Sequence, residues 1–113
     1  TGGLYKFSSS LNNFAKDARI EINDNPFYIF PEWGFFTTFK ILTENKIMYS
    51  IYEVTPELIR KNKLESRKIR IAYWDHNKII ETQDMLLREF DINTFITTYY
   101  SKNGVKTFYV LKN

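Results

Sequence analysis

The chain contains no cysteine and has a single histidine, His76, among its 113 residues. Without cysteine it can form no disulfide, no thiolate metal site and no cysteine nucleophile. One histidine is too few for a metal site built from histidine and cysteine ligands, and we interpret His76 as a solvated turn residue. The sequence also lacks the Gly-x-Ser-x-Gly motif that marks one class of serine nucleophile. The sequence therefore excludes disulfides, metal sites built from cysteine and histidine, and nucleophilic sites that use cysteine or this serine motif.

Long apolar runs are absent as well. No run approaches the ~20 residues that a membrane-spanning helix needs. The first residues do not have the basic and then apolar order of a secretory signal. We therefore predict a cytoplasmic protein with no membrane partner. Hydrophobic residues at 43% and charged residues at 26% predict one globular domain over residues 1–113, able to fold without disulfides.

Aromatic residues make up 18% of the chain, and their mixture with isoleucine favours strands over helices. Alternating apolar residues and turn signals predict a series of local elements. In chain order these are a strand at 4–7, a helix at 10–17, strands at 18–23 and 27–30, a hairpin of 34–43 with 47–54, a helix at 55–63, a hairpin of 68–74 with 79–81, a helix at 82–90, and a hairpin of 94–100 with 105–111.

This order predicts an α+β fold in which successive hairpins build one antiparallel sheet. Hairpins joined by short connections tend to lie side by side, so two or three short helices should pack on one face of the sheet. The first and third predicted hairpins share the sequence Thr-Thr-aromatic, at residues 37–39 and 97–99. This likeness suggests a duplicated unit, and chance similarity between strand-rich segments is the alternative.

Positive charge is concentrated between residues 60 and 70. Six cations lie there against one anion, Glu65, a formal charge of +5, whereas the whole chain carries +3. Residues 1–54 have five cations and six anions, so the basic character belongs to this segment alone. Such a concentration is typical of a surface that binds an anionic partner. The six cations are Arg60, Lys61, Lys63, Arg67, Lys68 and Arg70.

The same segment suggests a nucleic-acid interface. Alternation along the predicted strand places Lys68, Arg70 and Trp74 on one face, next to a basic helix that carries three further cations. Cations that contact phosphates beside an aromatic ring that stacks on a base are the minimal arrangement for binding a single strand. We therefore predict a non-catalytic nucleic-acid-binding domain without a cofactor, with DNA and RNA both open. A merely solvated helix and edge strand would explain the same cations.

A protein-interaction module is the second hypothesis. Twenty aromatic rings are more than one small core usually needs, so some should be exposed. Trp33, between Pro31 and Gly34, is the best candidate for a partner contact. An inhibitor or adaptor could dock through such rings, add a strand to an open sheet edge, or offer its basic surface to an acidic protein.

A Mg²⁺-dependent nuclease is the third hypothesis. It needs two or three carboxylates that converge. The candidates form two groups along the chain, and nothing in their spacing forces either group together. They are Glu21 and Asp24 in the first, and Asp75, Glu81 and Asp84 in the second.

Overall fold

A computed structural model describes residues 2–32, 35–43, 47–51, 53–100 and 106–113. Within these ranges the chain forms four α-helices and five strands, with a single 3₁₀ turn at Ile22–Asp24. The helices are α1 (Gly2–Ile20), α2 (Phe36–Leu42), α3 (Pro56–Leu64) and α4 (His76–Phe90), and the strands are β1 (Pro26–Ile29), β2 (Met48–Ser50), β3 (Lys68–Tyr73), β4 (Phe95–Tyr100) and β5 (Lys106–Lys112).

The strands form one mixed sheet in the order β2-β1-β3-β5-β4. β1 pairs in parallel with both β2 and β3, whereas β5 pairs antiparallel with both β3 and β4. The α+β class is confirmed, but the prediction of a purely antiparallel sheet is wrong. A helix lies between β1 and β2, and another between β2 and β3, and such crossovers return the chain in the same direction. Only the last hairpin is confirmed, and its turn at 101–104 lies outside the described residues.

The helices cover both faces of the sheet, so the prediction of helices on one face is also wrong. Side chains of α1 and α2 share a buried cluster with Tyr28 and Phe30 at β1. Side chains of α3 and α4 share a second cluster with Ile29, whose side chain points to the opposite face. Among the helices that the structure describes, none has the length and apolar character to cross a membrane.

α2 occupies a segment that was predicted to be a strand. Residues Phe35, Phe39 and Leu42 recur at helical spacing, and the helix packs them against the sheet. Its threonines and aromatic rings favour a strand, but this preference depends on context, and tertiary packing overrides it here. Since α2 replaces the first half of the first predicted hairpin, the duplication hypothesis is wrong.

α1 is longer than the predicted helix at 10–17 and includes the predicted strand at 4–7. Leu11, Phe14, Ala15 and Ala18 are all buried and mark one continuous helical face. The prediction of a strand at 18–23 is wrong, because Ile20 and Ile22 are 68% and 41% exposed. These two isoleucines alternate with polar residues without covering any core.

α3 and β3 form where they were predicted. The Thr55 hydroxyl accepts a hydrogen bond from the Leu58 amide at 3.2 Å, and Pro56 begins the helix where its missing donor costs nothing. α4 begins at His76, earlier than predicted, because the Asp75 carboxylate caps it by accepting a bond from the Asn77 amide. The predicted strand at 79–81 is therefore wrong.

Candidate functional site

α3 presents three of the six predicted cations to solvent. Ile59 and Asn62 are the buried residues of this helix, and they fix it against the sheet. Arg60, Lys61 and Lys63 lie on the exposed part of its surface. The predicted helix therefore places these three side chains where an anionic partner can reach them.

Two of these cations also contact the end of α4. The Lys63 Nζ atom donates a hydrogen bond to the Phe90 carbonyl oxygen at 2.7 Å. The Arg60 guanidinium carbon lies 5.8 Å from the centre of the Phe90 ring, within the range of a cation-π contact. A cation beside the carboxyl end of a helix is favourable, because unpaired carbonyl groups leave partial negative charge there. These contacts anchor the basic end of α3 next to the last turn of α4.

The start of β3 adds one more exposed cation, Lys68, whereas Arg67 before it is paired. The Arg67 Nε atom pairs with the Glu65 Oε2 atom at 2.6 Å, so part of its charge is neutralised locally. Lys68 is exposed at the start of β3. Within the ranges that the structure describes, neither Lys61 nor Lys68 takes part in an ion pair. We use the name basic surface for four exposed cations, Arg60, Lys61 and Lys63 of α3 and Lys68 of β3, of which Lys68 lies on the sheet face opposite α3.

Arg70 does not join the basic surface. As predicted, it shares a strand face with Lys68, but that face is opposite to the one covered by α3. Only 5% of its surface is exposed. Its Nε atom lies 3.5 Å from the Glu21 Oε2 atom, and its Nη1 atom donates to the Asn113 carbonyl oxygen at 2.9 Å. The prediction that Arg70 is available to a phosphate is therefore corrected by its burial and its carboxylate partner.

Arg70 belongs instead to a buried polar cluster beneath the end of α1. Cross-strand pairing places Tyr28, Arg70 and Lys112 in one row across β1, β3 and β5. The Lys112 Nζ atom lies 3.7 Å from the Glu21 Oε1 atom and donates to the Tyr99 hydroxyl at 3.2 Å. The buried polar cluster consists of Asp17, Glu21, Tyr28, Arg70, Tyr99 and Lys112.

The two tyrosine hydroxyls of this cluster are held neutral. The Tyr99 hydroxyl donates to the Asp17 Oδ2 atom at 2.7 Å. Burial first, and then this hydrogen bond, raise the pKa of Tyr99 well above its ordinary value. Burial and the charge of Glu21 raise the pKa of Tyr28, against the opposing charge of Arg70.

The cluster is electrically balanced, with two cations and two carboxylates. Because Asp17 of α1 and Glu21 directly after it supply the carboxylates and the sheet supplies both cations, the charges tie the end of α1 to β3 and β5. The sequence did contain a signal for this arrangement. Arg70 lies between Ile69 and Ile71, inside the apolar part of β3, and a cation in that position indicates a buried partner.

Trp74 is also separate from the basic surface. Its ring stacks on Phe35 with centroids 4.2 Å apart and meets the edge of Phe108 at 5.7 Å. It lies six residues beyond Lys68 along β3, about 20 Å at the usual rise per residue, and it packs on the sheet face opposite α3. The expectation that Trp74 stands beside the cations is therefore corrected.

Glu32 occupies the place where β1 and β3 end. Its Oε1 atom accepts from the backbone amide of Trp74 at 2.7 Å and from that of Asp75 at 3.3 Å, while its Oε2 atom lies 3.5 Å from the Lys78 Nζ atom. The carboxyl ends of parallel strands are common ligand positions. Here the Glu32 carboxylate already binds the amides of Trp74 and Asp75, so these two groups are not available to a ligand.

The carboxylates considered as Mg²⁺ ligands are dispersed. Glu21 lies against Arg70 and Lys112, Asp75 caps α4, and Asp84 pairs with Arg88 at 3.2 Å. Across the part of the chain that the structure describes, no three histidine or carboxylate side chains are placed to hold a metal ion.

Trp33, the predicted partner contact, lies outside the described residues.

No protein-family model matches the chain, and neither a curated protein nor a solved structure matches it.

Proposed function

We propose that the protein is a non-catalytic nucleic-acid-binding domain whose basic surface contacts backbone phosphates. The observation that carries the proposal is the exposure of Lys61 and Lys68 without any ion pair among the described residues. A lysine that is already paired would have to give up its carboxylate before it could bind a phosphate. Among the described residues, neither of these lysines has such an ion pair to lose.

The surroundings of the basic surface support the same interpretation. Residues 56–68 carry five cations and two anions, Glu57 and Glu65, and Glu65 is bound to Arg67. α3 is capped at Thr55 and packed at Ile59, so its cations stand on a fixed scaffold. A fixed scaffold lowers the entropy that is lost when several phosphates are bound together. Under this proposal the partner is either DNA or RNA, binding requires no cofactor, and the protein is cytoplasmic.

The test compares two double variants that lose the same charge. Lys61→Gln with Lys68→Gln removes half of the basic surface, whereas Lys16→Gln with Lys40→Gln removes two exposed lysines from α1 and α2. Fluorescence anisotropy with labelled 20-mer oligonucleotides at low salt measures binding. We expect the first variant to bind at least about tenfold more weakly, since each phosphate contact adds a salt-dependent contribution. Equal losses in both variants, or no binding by the wild type, would refute the proposal.

An open sheet edge supports the protein-interaction hypothesis as a second candidate. β4 is the outer strand of the sheet and, in the described ranges, pairs only with β5. Phe95 and Tyr100 are exposed at its two ends. A partner strand could bind to the unpaired backbone groups along this edge.

The test of this candidate places a charge at the edge. A lysine on an edge strand opposes pairing with another strand, so Phe95→Lys should abolish the capture of a protein partner from nuclease-treated lysate. Lys61→Gln with Lys68→Gln is the control and should leave that capture intact. Capture that Phe95→Lys leaves unchanged would exclude the β4 edge.

A further inference from the structure

We infer that the partner of the basic surface is double-stranded nucleic acid, recognised through its phosphates and without base stacking. This inference rests on the function proposed above and narrows it. The first observation is the position of the indole that would stack on a base. Trp74 stacks on Phe35 and packs on the sheet face opposite α3, so it cannot reach a base whose phosphate lies on Lys61.

The second observation concerns Phe90, an aromatic ring beside the cations in the described part of the chain. Phe90 is only partly exposed, and the Arg60 guanidinium group lies over its ring. Lys63 is bound to the carbonyl oxygen of the same residue. A base could stack on Phe90 only by displacing Arg60, which would remove a cation from the phosphates. This ring is therefore a support for the basic surface and does not serve as a stacking platform.

The consequence follows from charge density. A surface that binds single strands gains about 1 to 3 kcal/mol from each stacked base, and that gain compensates for the lower charge of one strand. A surface with cations alone gains only from phosphate charge. A duplex carries one charge per about 1.7 Å of axis, twice the density of one of its strands. Such a surface therefore prefers the duplex and does not depend on base sequence.

The first experiment measures binding of a 20-base-pair duplex and of its two separate strands between 50 and 200 mM salt. If all four cations contact phosphates, affinity for the duplex should fall about 150-fold over this range and affinity for a single strand about 50-fold. We expect the duplex to bind more tightly at the low-salt end, and a duplex of shuffled sequence to bind equally well. A single strand that binds as tightly as the duplex overturns the inference but leaves the proposed function standing. No binding to any of these oligonucleotides overturns both.

A second experiment tests directly whether a base stacks on the indole of Trp74. Trp33→Phe leaves Trp74 as the only indole in the chain. Because a stacked base quenches indole emission, we expect this variant to bind the duplex with its tryptophan fluorescence unchanged. Quenching that grows with bound oligonucleotide would show that Trp74 meets a base and would overturn the inference. The anisotropy of the same samples confirms that the variant is bound.

Discussion

The Glu21 Oε2 atom lies 3.5 Å from the Arg70 Nε atom, and both atoms are buried without a hydrogen-bond partner among the described residues. Attraction between the two charges holds the pair, and the Asn113 carbonyl oxygen binds the other side of the guanidinium group. This relationship separates Arg70 from the cations that precede it in the sequence. It also joins the residue that follows α1 to the centre of the sheet.

Replacing Glu21 by glutamine should destabilise the fold by about 3 kcal/mol, because Arg70 and Lys112 would then remain buried with one carboxylate fewer. Urea denaturation followed by circular dichroism measures the free energy of unfolding. The matched control is Glu89→Gln, an exposed carboxylate on α4, which should change stability by less than about 0.5 kcal/mol. A loss below 1 kcal/mol for Glu21→Gln would show that this ion pair adds little to stability.

Alkaline pH should destabilise the protein through its buried tyrosines. The pKa values of Tyr28, Tyr73 and Tyr99 are all raised by burial, so these hydroxyls keep their protons in the folded state at a pH where the unfolded chain releases them. Above about pH 10 the unfolded state binds fewer protons than the folded state, and the free energy of unfolding falls as pH rises. Below that pH the contribution is fully present.

The size of this effect follows from linkage. Each buried tyrosine contributes a slope of about 1.4 kcal/mol per pH unit above the ordinary tyrosine pKa. We expect Tyr99→Phe to reduce the slope by the share of one tyrosine, measured by urea denaturation between pH 7 and 11. Tyr100→Phe, which removes an exposed hydroxyl from the same strand, is the control. A reduction of equal size in both variants would contradict the assignment to Tyr99.

Phe14→Ala should cost about 3 to 5 kcal/mol, the usual range for a fully buried phenylalanine. Phe14 is 1% exposed, and its ring contacts five others, those of Tyr28, Phe30, Phe39, Tyr99 and Phe108. Phe95→Ala removes a ring that is 57% exposed and should cost less than about 1 kcal/mol. Thermal and urea unfolding of both variants give the comparison. Similar losses would mean that α1 does not pack as described.

Thr55→Ala should cost about 1 kcal/mol, because the hydroxyl that caps α3 would be lost. Thr55→Ser keeps the hydroxyl and should keep most of the stability. Hydrogen exchange at the amide of Leu58 reports on the same bond locally. If α3 carries the basic surface, oligonucleotide binding by Thr55→Ala should weaken only at temperatures where the helix begins to fray.

Several elements could be predicted from the sequence because their signals are local. Thr55 and Pro56 mark the start of α3 by their own chemistry, and alternation over residues 68–74 identifies β3. The last two strands are apolar segments separated by a short polar turn. The exposure of four cations could also be predicted, because a basic residue seldom enters a core without a partner. These cations are Arg60, Lys61, Lys63 and Lys68.

The errors arose where short patterns are ambiguous. Ile20 and Ile22 alternate like strand residues, although the preceding helix ends there and both are exposed. Phe35 and Phe39 fit a helix, but their aromatic neighbours suggested a strand. Periodicity over six to eight residues does not separate a short buried helix from a strand. Where such a segment also decides the connection between strands, the error spreads to the topology.

The sequence by itself determined the elements with local signals and the concentration of positive charge. Only the tertiary structure decided that β1, β2 and β3 run in parallel with helices on both faces, because that depends on which strands meet after each crossover. It also divided the six cations, since Arg70 is buried against Glu21 whereas Arg60, Lys61, Lys63 and Lys68 are exposed. Arg70 and Lys61 lie nine residues apart in the chain, yet Arg70 lies on the sheet face covered by α1 and Lys61 lies on α3, which covers the opposite face. No local pattern contains the position of Glu21, which follows α1 and lies 49 positions before Arg70 in the chain.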